Sequence, residues 1–389
     1  MKSLKCVMIV VSLGLVIVAA PMWAAAFSPG DLVVYRVGTG SGNLVSTGNA
    51  VFLDEYTPTG TLVQSVPMPT SANGANYPLI ASGTAQTEGL LTRSADGQYL
   101  LLTGYGTTTG GGTSLKSTAA ATVPRVVGRV DSAGNVDTTT ALTDFADGDT
   151  PRSATSSNGT DLWVTGNTGG VRYTTLGSST SLSLASAVSA GYQVNIFGGQ
   201  LYATTHTTPN FLVSIDSGLP QTAGQIISTV LPTGNTLGSP DAFCFLDVDP
   251  NTPGLDTVYV ADDANGIMKF GLSGGAWVFE GAKGKGSNGY RGLTGVVQGD
   301  GSVLLYATRN GGGNATGGGD LVSLVDSTGF GGSLANTTGS FTTLATATTY
   351  TAFRGVAFAP VSVPEPSTIA LLIAAVFGLL GRRFVRRKT

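Results

Sequence analysis

Between residues 27 and 360 the apolar positions fall in short β-prone runs, and none keeps the 3.6-residue period of an amphipathic helix. Six of these runs have an aromatic residue at their heart. They are LVVYRV around Tyr35, GQYLLLTG around Tyr99, DLWVTG around Trp163, GQLYATT around Tyr202, DTVYVAD around Tyr259 and LLYATR around Tyr306, at spacings of 39 to 64 residues. Turn pairs precede four of them: Asp96-Gly97, Asn158-Gly159, Gly198-Gly199 and Asp300-Gly301. Such pairs take the positive φ that tight hairpins demand. A second strand follows, as in VVGRVDSAGN (126–135), FLVSIDSG (211–218), IMKFGLSGG (267–275) and LVSLVDSTG (321–329). Another comes after it, as in AWVFEG (276–281) or FTTLAT (341–346), and one more stands upstream, as in YRGLTGVV (290–297). The repeating unit is therefore four antiparallel strands.

Four-stranded units at this period predict an all-β fold, a β-propeller of six blades. The first unit has no room for an upstream strand before Tyr35, while FRGVAFAP (353–360) echoes YRGLTGVV and has no unit after it. The C-terminal strand is thus expected to complete the first blade, closing the ring and removing its open edges. A pair of β-sandwiches or a β-helix is the competing architecture, and sandwiches of this size would need a linker that is not visible. Two low-complexity stretches, GTTTGGGTSLKSTAAAT (106–122) and NGGGNATGGGD (310–320), read as solvated loops.

The ends differ from the body. Residues 1–26 read as a cleavable signal peptide: Lys2 and Lys5, an apolar run from Cys6 to Ala20, and Ala24-Ala25-Ala26 before Phe27, which places cleavage between Ala26 and Phe27. Residues 361–389 read as a sorting tail. Pro364 and Pro366 keep the chain extended around Glu365. Thr368 to Gly381 would make a helix of about 21 Å, short against a hydrocarbon core of about 30 Å. Arg382, Arg383, Arg386, Arg387 and Lys388 would hold its end on the cytoplasmic side.

The order VPEPST, apolar run, GRRFVRR resembles the PEP-CTERM sorting signal of Gram-negative bacteria over about Val361 to Lys388. That resemblance implies a transient stay in the inner membrane and recognition of Pro364, Glu365 and Pro366 by an exosortase-type transpeptidase that removes the helix. It also implies a mature form in the cell envelope, at the surface or in the matrix, with the link to exopolysaccharide and biofilm common in that family. The body is similar to other Gly/Thr-rich secreted proteins with such tails, a likeness that brings no site residues.

Charge narrows the partners. Charged residues make up only 11% of the chain, and the body between the two end segments carries 13 Lys and Arg against 22 Asp and Glu, about −9. No basic patch neutralises phosphates, which excludes nucleic acid. With Cys6 lost in the leader, Cys244 has no partner for a disulfide, and its flanks DAFCFLD place it as a buried strand residue.

Candidate chemistry is sparse. His206, the sole histidine, cannot build a histidine metal cluster, and no G-x-S-x-G nucleophile motif occurs. Asp247, Asp249 and Asn251 have the alternation that opens a calcium loop, with Asp256 in reach. The glycine then falls at Gly254 and Val258 stands where the bidentate Glu belongs, so Ca²⁺ is a weak candidate and no other cofactor is expected. Acids at Asp54-Glu55, Asp144, Asp147 and Asp149 isolate no catalytic pair. Two functions remain. One is a non-enzymatic surface or matrix scaffold whose loops bind polysaccharide or protein. The other is a secreted propeller enzyme, a lyase, lactonase or glycosidase, which would need acids or histidines converging at one face.

Overall fold

The computed structural model describes residues 25–206, 211–231, 238–286 and 288–362. The leader up to residue 24, the sorting residues Pro364, Glu365 and Pro366, the apolar run and the arginines Arg382, Arg383, Arg386 and Arg387 lie outside them. The described body is all-β, with two single-turn 3₁₀ helices, Leu115–Ser117 and Leu334–Asn336, among the described residues.

Its strands pair mainly as antiparallel units of four. Unit 1 holds β1 (Leu32–Val37), β2 (Asn49–Tyr56) and β3 (Leu62–Pro67). A two-residue strand, β4 (Ile80–Ala81), bridges it to unit 2, which is β5 (Thr92–Arg93), β6 (Tyr99–Tyr105), β7 (Arg125–Asp131) and β8 (Val136–Leu142). Unit 3 is β9 (Pro151–Ser156), β10 (Asp161–Gly166), β11 (Val171–Thr175) and β12 (Leu182–Ala185). Unit 4 is β13 (Gly191–Phe197), β14 (Gln200–Thr205), β15 (Leu212–Ile215) and β16 (Ile227–Thr229). Unit 5 is β17 (Pro240–Leu246), β18 (Thr257–Asp262), β19 (Gly266–Ser273) and β20 (Ala276–Lys283). Unit 6 is β21 (Gly292–Val297), β22 (Val303–Arg309), β24 (Asp320–Asp326) and β25 (Thr342–Thr346). Within its third connection, β23 (Gly317–Gly318) runs parallel to the last strand, β26 (Thr351–Phe358). β26 pairs antiparallel with β1, Leu32 facing Phe358, and so supplies the first strand of unit 1.

Each of the six aromatic-centred runs lies in the second strand of its unit, and each of those aromatics reaches the next unit. Tyr35 OH donates to Thr103 O at 3.1 Å. The Tyr99 ring fills the space at Gly159, where a Cβ would meet it at 2.4 Å. Trp163 Nε1 donates to Pro220 O at 2.8 Å. Tyr202 packs on Phe245 with centroids 4.6 Å apart. Tyr259 OH donates to Asp326 at 2.7 Å, and Tyr306 meets Phe358 of unit 1 edge-on at 5.9 Å. An aromatic ring with a polar tip suits this seam, where apolar body and hydrogen bond are both satisfied.

The two low-complexity stretches are less solvated than their composition predicts. Leu115, within 106–122, is buried against Ile80 and Tyr105. The stretch 310–320 contributes β23, and its backbone lies against β26.

Candidate site at the meeting point of the first strands

The first strands of the units pack side by side in the order β26, β5, β9, β13, β17, β21, with β21 again beside β26. Close approach needs small residues: a Cβ on Gly355 would come within 2.2 Å of Leu91 N. At the end where the first strands begin, four of them hold one residue more than their partners. The extra residue falls at Arg152 in β9, Tyr192–Gln193 in β13, Asp241–Ala242 in β17 and Arg354–Gly355 in β26. A bulge re-aims a side chain. It is the local reason why Arg152, Tyr192, Asp241 and Arg354 gather at one place with Glu88, Arg291, Asp263 and His206.

Tyr192 is the centre of this cluster. His206 stacks on its ring at 3.9 Å, and Arg152 Cζ lies 3.8 Å from the same centroid, which puts the two on opposite faces. His206 Nε2 is 2.6 Å from Ser239 Oγ. Burial, and then the Arg152 charge, push the imidazole pKa down to about 4, so it is neutral at physiological pH. Arg152 donates to Gly191 O at 3.1 Å and to Asn167 Oδ1 at 2.8 Å, and Asn167 donates onward to Asp149. Arg291 grips Asp263 through Nε at 3.0 Å and Nη2 at 2.5 Å. Asp241 is fully buried, with Arg291 Nε 3.8 Å away. Burial, and then the adjacent Asp263 carboxylate, raise the Asp241 pKa well above the usual carboxylate range. Ionised, neither of its oxygens would have a donor in reach among the described residues. Protonated, it would donate to Asp263. Arg152 Nε, Arg291 Nη1 and Arg354 Nε also lack acceptors there. Buried groups left unpaired cost free energy, so the cluster is polar, crowded and incompletely satisfied.

Glu88 accepts from Tyr105 OH at 2.6 Å and from Ser82 N at 3.2 Å. Burial outweighs both bonds and pushes its pKa up to about 7. The folded state therefore binds the Glu88 proton more tightly than the unfolded state does. Its contribution to stability is fully present below about pH 4.5 and is lost as pH rises through 7, about 3 kcal/mol in all. Urea unfolding between pH 4.5 and 8 is expected to show this fall in the wild type, and a flatter profile with a pH-independent offset in Glu88→Gln. Identical slopes in the two proteins would refute the raised pKa.

At the opposite end of the first strands lies a cavity of about 510 Å³, lined by residues of β5, β13, β17, β21 and β26 and their flanks. Cys244 lines it too. The thiol, pushed up to about 12 by burial, is not a nucleophile. Both ends of the described chain leave on this side: Ala359 N donates to Asp31 O at 2.8 Å, and Val361 N to Gly97 O at 2.9 Å.

The remaining sequence candidates lie elsewhere. Asp256 is turned inward, accepting from Val248 N at 3.0 Å, Asp249 N at 2.7 Å and Thr257 Oγ1 at 2.8 Å. Asp249 accepts from Asn251 and Thr252, and Asp247 is exposed. The carboxylates of Asp249 and Asp256 are thus committed to their own connection. Among the described residues no group of three or more His, Cys, Asp or Glu side chains is arranged to hold a metal ion. Asp144 and Asp147 cap turns through Ser181 and Ala120, while Asp54 and Glu55 bind Arg36 and Ser28. Phe27 is buried in the core, its N–H on Ser132 O. Of the candidates, His206 falls in the cluster, and Asp149 joins it through Asn167 and Arg152. The arginines were missed because each stands alone in the sequence. Their shared signal is an arginine followed by a small residue near the start of a first strand: Arg152-Ser153, Arg291-Gly292 and Arg354-Gly355.

Residues 362–388 match the PEP-CTERM protein-sorting motif. The chain thus carries the signal of an exported, exosortase-sorted surface protein. No curated protein matches the chain. Among solved structures it is similar to a chain of a nidogen/laminin complex, at 11% identity and a TM-score of 0.44, over 85% of this chain and 98% of that one. It is also similar to the extracellular domain of a hybrid two-component system from B. thetaiotaomicron, at 13% identity and a TM-score of 0.39, over 82% of this chain and 35% of that one.

Proposed function

We propose that residues 27–360 form a six-bladed β-propeller, closed by β1 and β26, that is displayed at the cell envelope or in the matrix of a Gram-negative bacterium. There it serves as a scaffold for binding polysaccharide or protein. The cyclic packing of the first strands and the aromatic seams from each unit to the next support the ring. One observation carries the surface reading: the sorting motif begins at residue 362, directly after the strand that pairs with β1. Because both ends leave on one side, a tethered precursor would turn the Tyr192 cluster away from the membrane. Glu365→Ala or Pro366→Ala is expected to leave an unprocessed, membrane-held precursor, read by cell fractionation and mass spectrometry of the C-terminus. Variants that mature and leave the membrane normally would overturn this reading.

A secreted enzyme acting on polysaccharide is the second reading, favoured by one arrangement. A neutral His206, stacked on Tyr192 with Arg152 across the ring and a proton-sharing acid pair in the same cluster, has the parts for proton transfer near a bound anion. Release of unsaturated or reducing ends from polysaccharide, abolished in His206→Ala, would favour it over the scaffold.

A further inference from the structure

We infer that the cavity at the tail side of the first strands is a recognition site for an uncharged sugar residue, a hexopyranose unit of a larger glycan. This rests on the scaffold reading and gives it a site and a ligand class. The cavity, at about 510 Å³, lies in the range of about 300–1,000 Å³ typical of small-molecule sites. Its polar groups are few and fixed. Gln193 Oε1 accepts from Phe243 N at 2.8 Å. Asn195 Oδ1 accepts from Ile196 N at 2.9 Å and Thr155 Oγ1 at 3.1 Å. Each amide oxygen is held by a backbone N–H, so neither amide can flip without setting donor against donor. Both NH₂ groups are left as donors without a partner among the described residues. The Thr294 hydroxyl, which can donate or accept, is the third such group on the lining.

The rest of the lining suits a carbohydrate. Among the described residues β13, β17 and β21 each pair on one side, so their other edges carry backbone N–H and C=O groups suited to hydroxyls. Half-buried Phe197 and Phe358 supply apolar faces for the C–H side of a sugar ring. Among the described residues the only charged one on the lining is Arg93. Its Nη1 is bonded to Ala359 O and its guanidinium lies 5.8 Å from the Phe358 centroid. With no carboxylate and one committed cation, the cavity offers little to an ion and much to a polyol.

The test is saturation-transfer NMR on the full chain in a non-glycosidic detergent. The probes are methyl β-D-glucopyranoside, methyl β-D-galactopyranoside and sodium glucuronate. At least one neutral glycoside is expected to receive saturation, falling at least fivefold in Asn195→Leu and in Thr294→Val with the thermal midpoint kept. Should Asn195→Leu fail to fold, the near-isosteric Thr294→Val decides. No transfer to either neutral sugar, transfer unchanged in Thr294→Val, or transfer to glucuronate alone overturns the proposal; the last would point to the arginines at the other end. A chain that reaches the surface yet binds no neutral sugar sinks this site and leaves the surface reading intact. Sugar binding by a chain retained in the cytosol does the reverse.

Discussion

A chain that ends at Tyr350 is expected to show no cooperative unfolding transition, whereas one that ends at Ser362 unfolds in a single step. The difference is β26. Phe353 and Val356 are buried in a cluster with Leu32, Val34, Tyr56 and Tyr306, and Ala352, Ala357 and Ala359 are buried in a second cluster with Val33, Tyr35 and Leu91. Large apolar side chains contribute about 1.5–3 kcal/mol each on burial, and each ladder hydrogen bond about 1 kcal/mol. Their loss reaches the whole margin of about 5–15 kcal/mol that holds an ordinary domain together. Truncation would also bare the edge of β1 and the side of β21 that β26 covers. Urea titration followed by tryptophan fluorescence decides it. A shared midpoint for the two chains would show that the body does not depend on its last strand.

Lys269→Ala is expected to destabilise the body by about 3–5 kcal/mol, because it strands a buried charge. Lys269 is fully buried in β19, its Nζ 3.0 Å from Asp326 and 3.6 Å from Glu280. It also donates to the carbonyls of Gly329 and Gly332. Burial pushes the Asp326 pKa upward, but hydrogen bonds from Thr328 and Tyr259 and the Lys269 charge outweigh it and hold the group below the usual range. Removing the ammonium leaves an ionised carboxylate with no counter-charge in a buried site. Asp326→Asn placed on top of Lys269→Met should therefore restore part of the loss relative to Lys269→Met alone. Equal stabilities for the single and double variants would show that the stranded charge is not what costs.

How far the molecule can be read from its residues follows from which of its signals are local. Tyr35, Tyr99, Trp163, Tyr202, Tyr259 and Tyr306 mark second strands because each sits in a run of β-prone residues, and that is visible in a short window. The turn pairs were legible for the same reason: Gly97, Gly159, Gly199 and Gly301 all have positive φ. What those aromatics do, bridging to the next unit, is a contact between residues up to 68 positions apart and leaves no local trace. The cluster was hidden more deeply. Arg152, Asp241 and Arg354 converge through one inserted residue per strand, and an insertion of that kind changes no hydrophobic pattern. Glu88 lies just before β5, the shortest of the first strands, where two paired residues give periodicity nothing to register. Leu115 shows the opposite error: an apolar residue amid glycines and threonines was assigned to solvent, and tertiary packing claimed it.

The pairing of the first strand with the last sets a timetable. An exported polypeptide is threaded across the membrane from its N-terminus, so β1 arrives early and waits for almost the entire chain before β26 reaches it. During that wait β1 is an adhesive, half-finished surface, and a chaperone outside the membrane would have reason to guard it. When β26 docks, the wait ends, and the sorting motif starts only four residues beyond Phe358. Completion of the fold and presentation of the processing signal thus fall almost together, and a body in which β26 has not docked would offer its tail to the exosortase on a different footing from one in which it has.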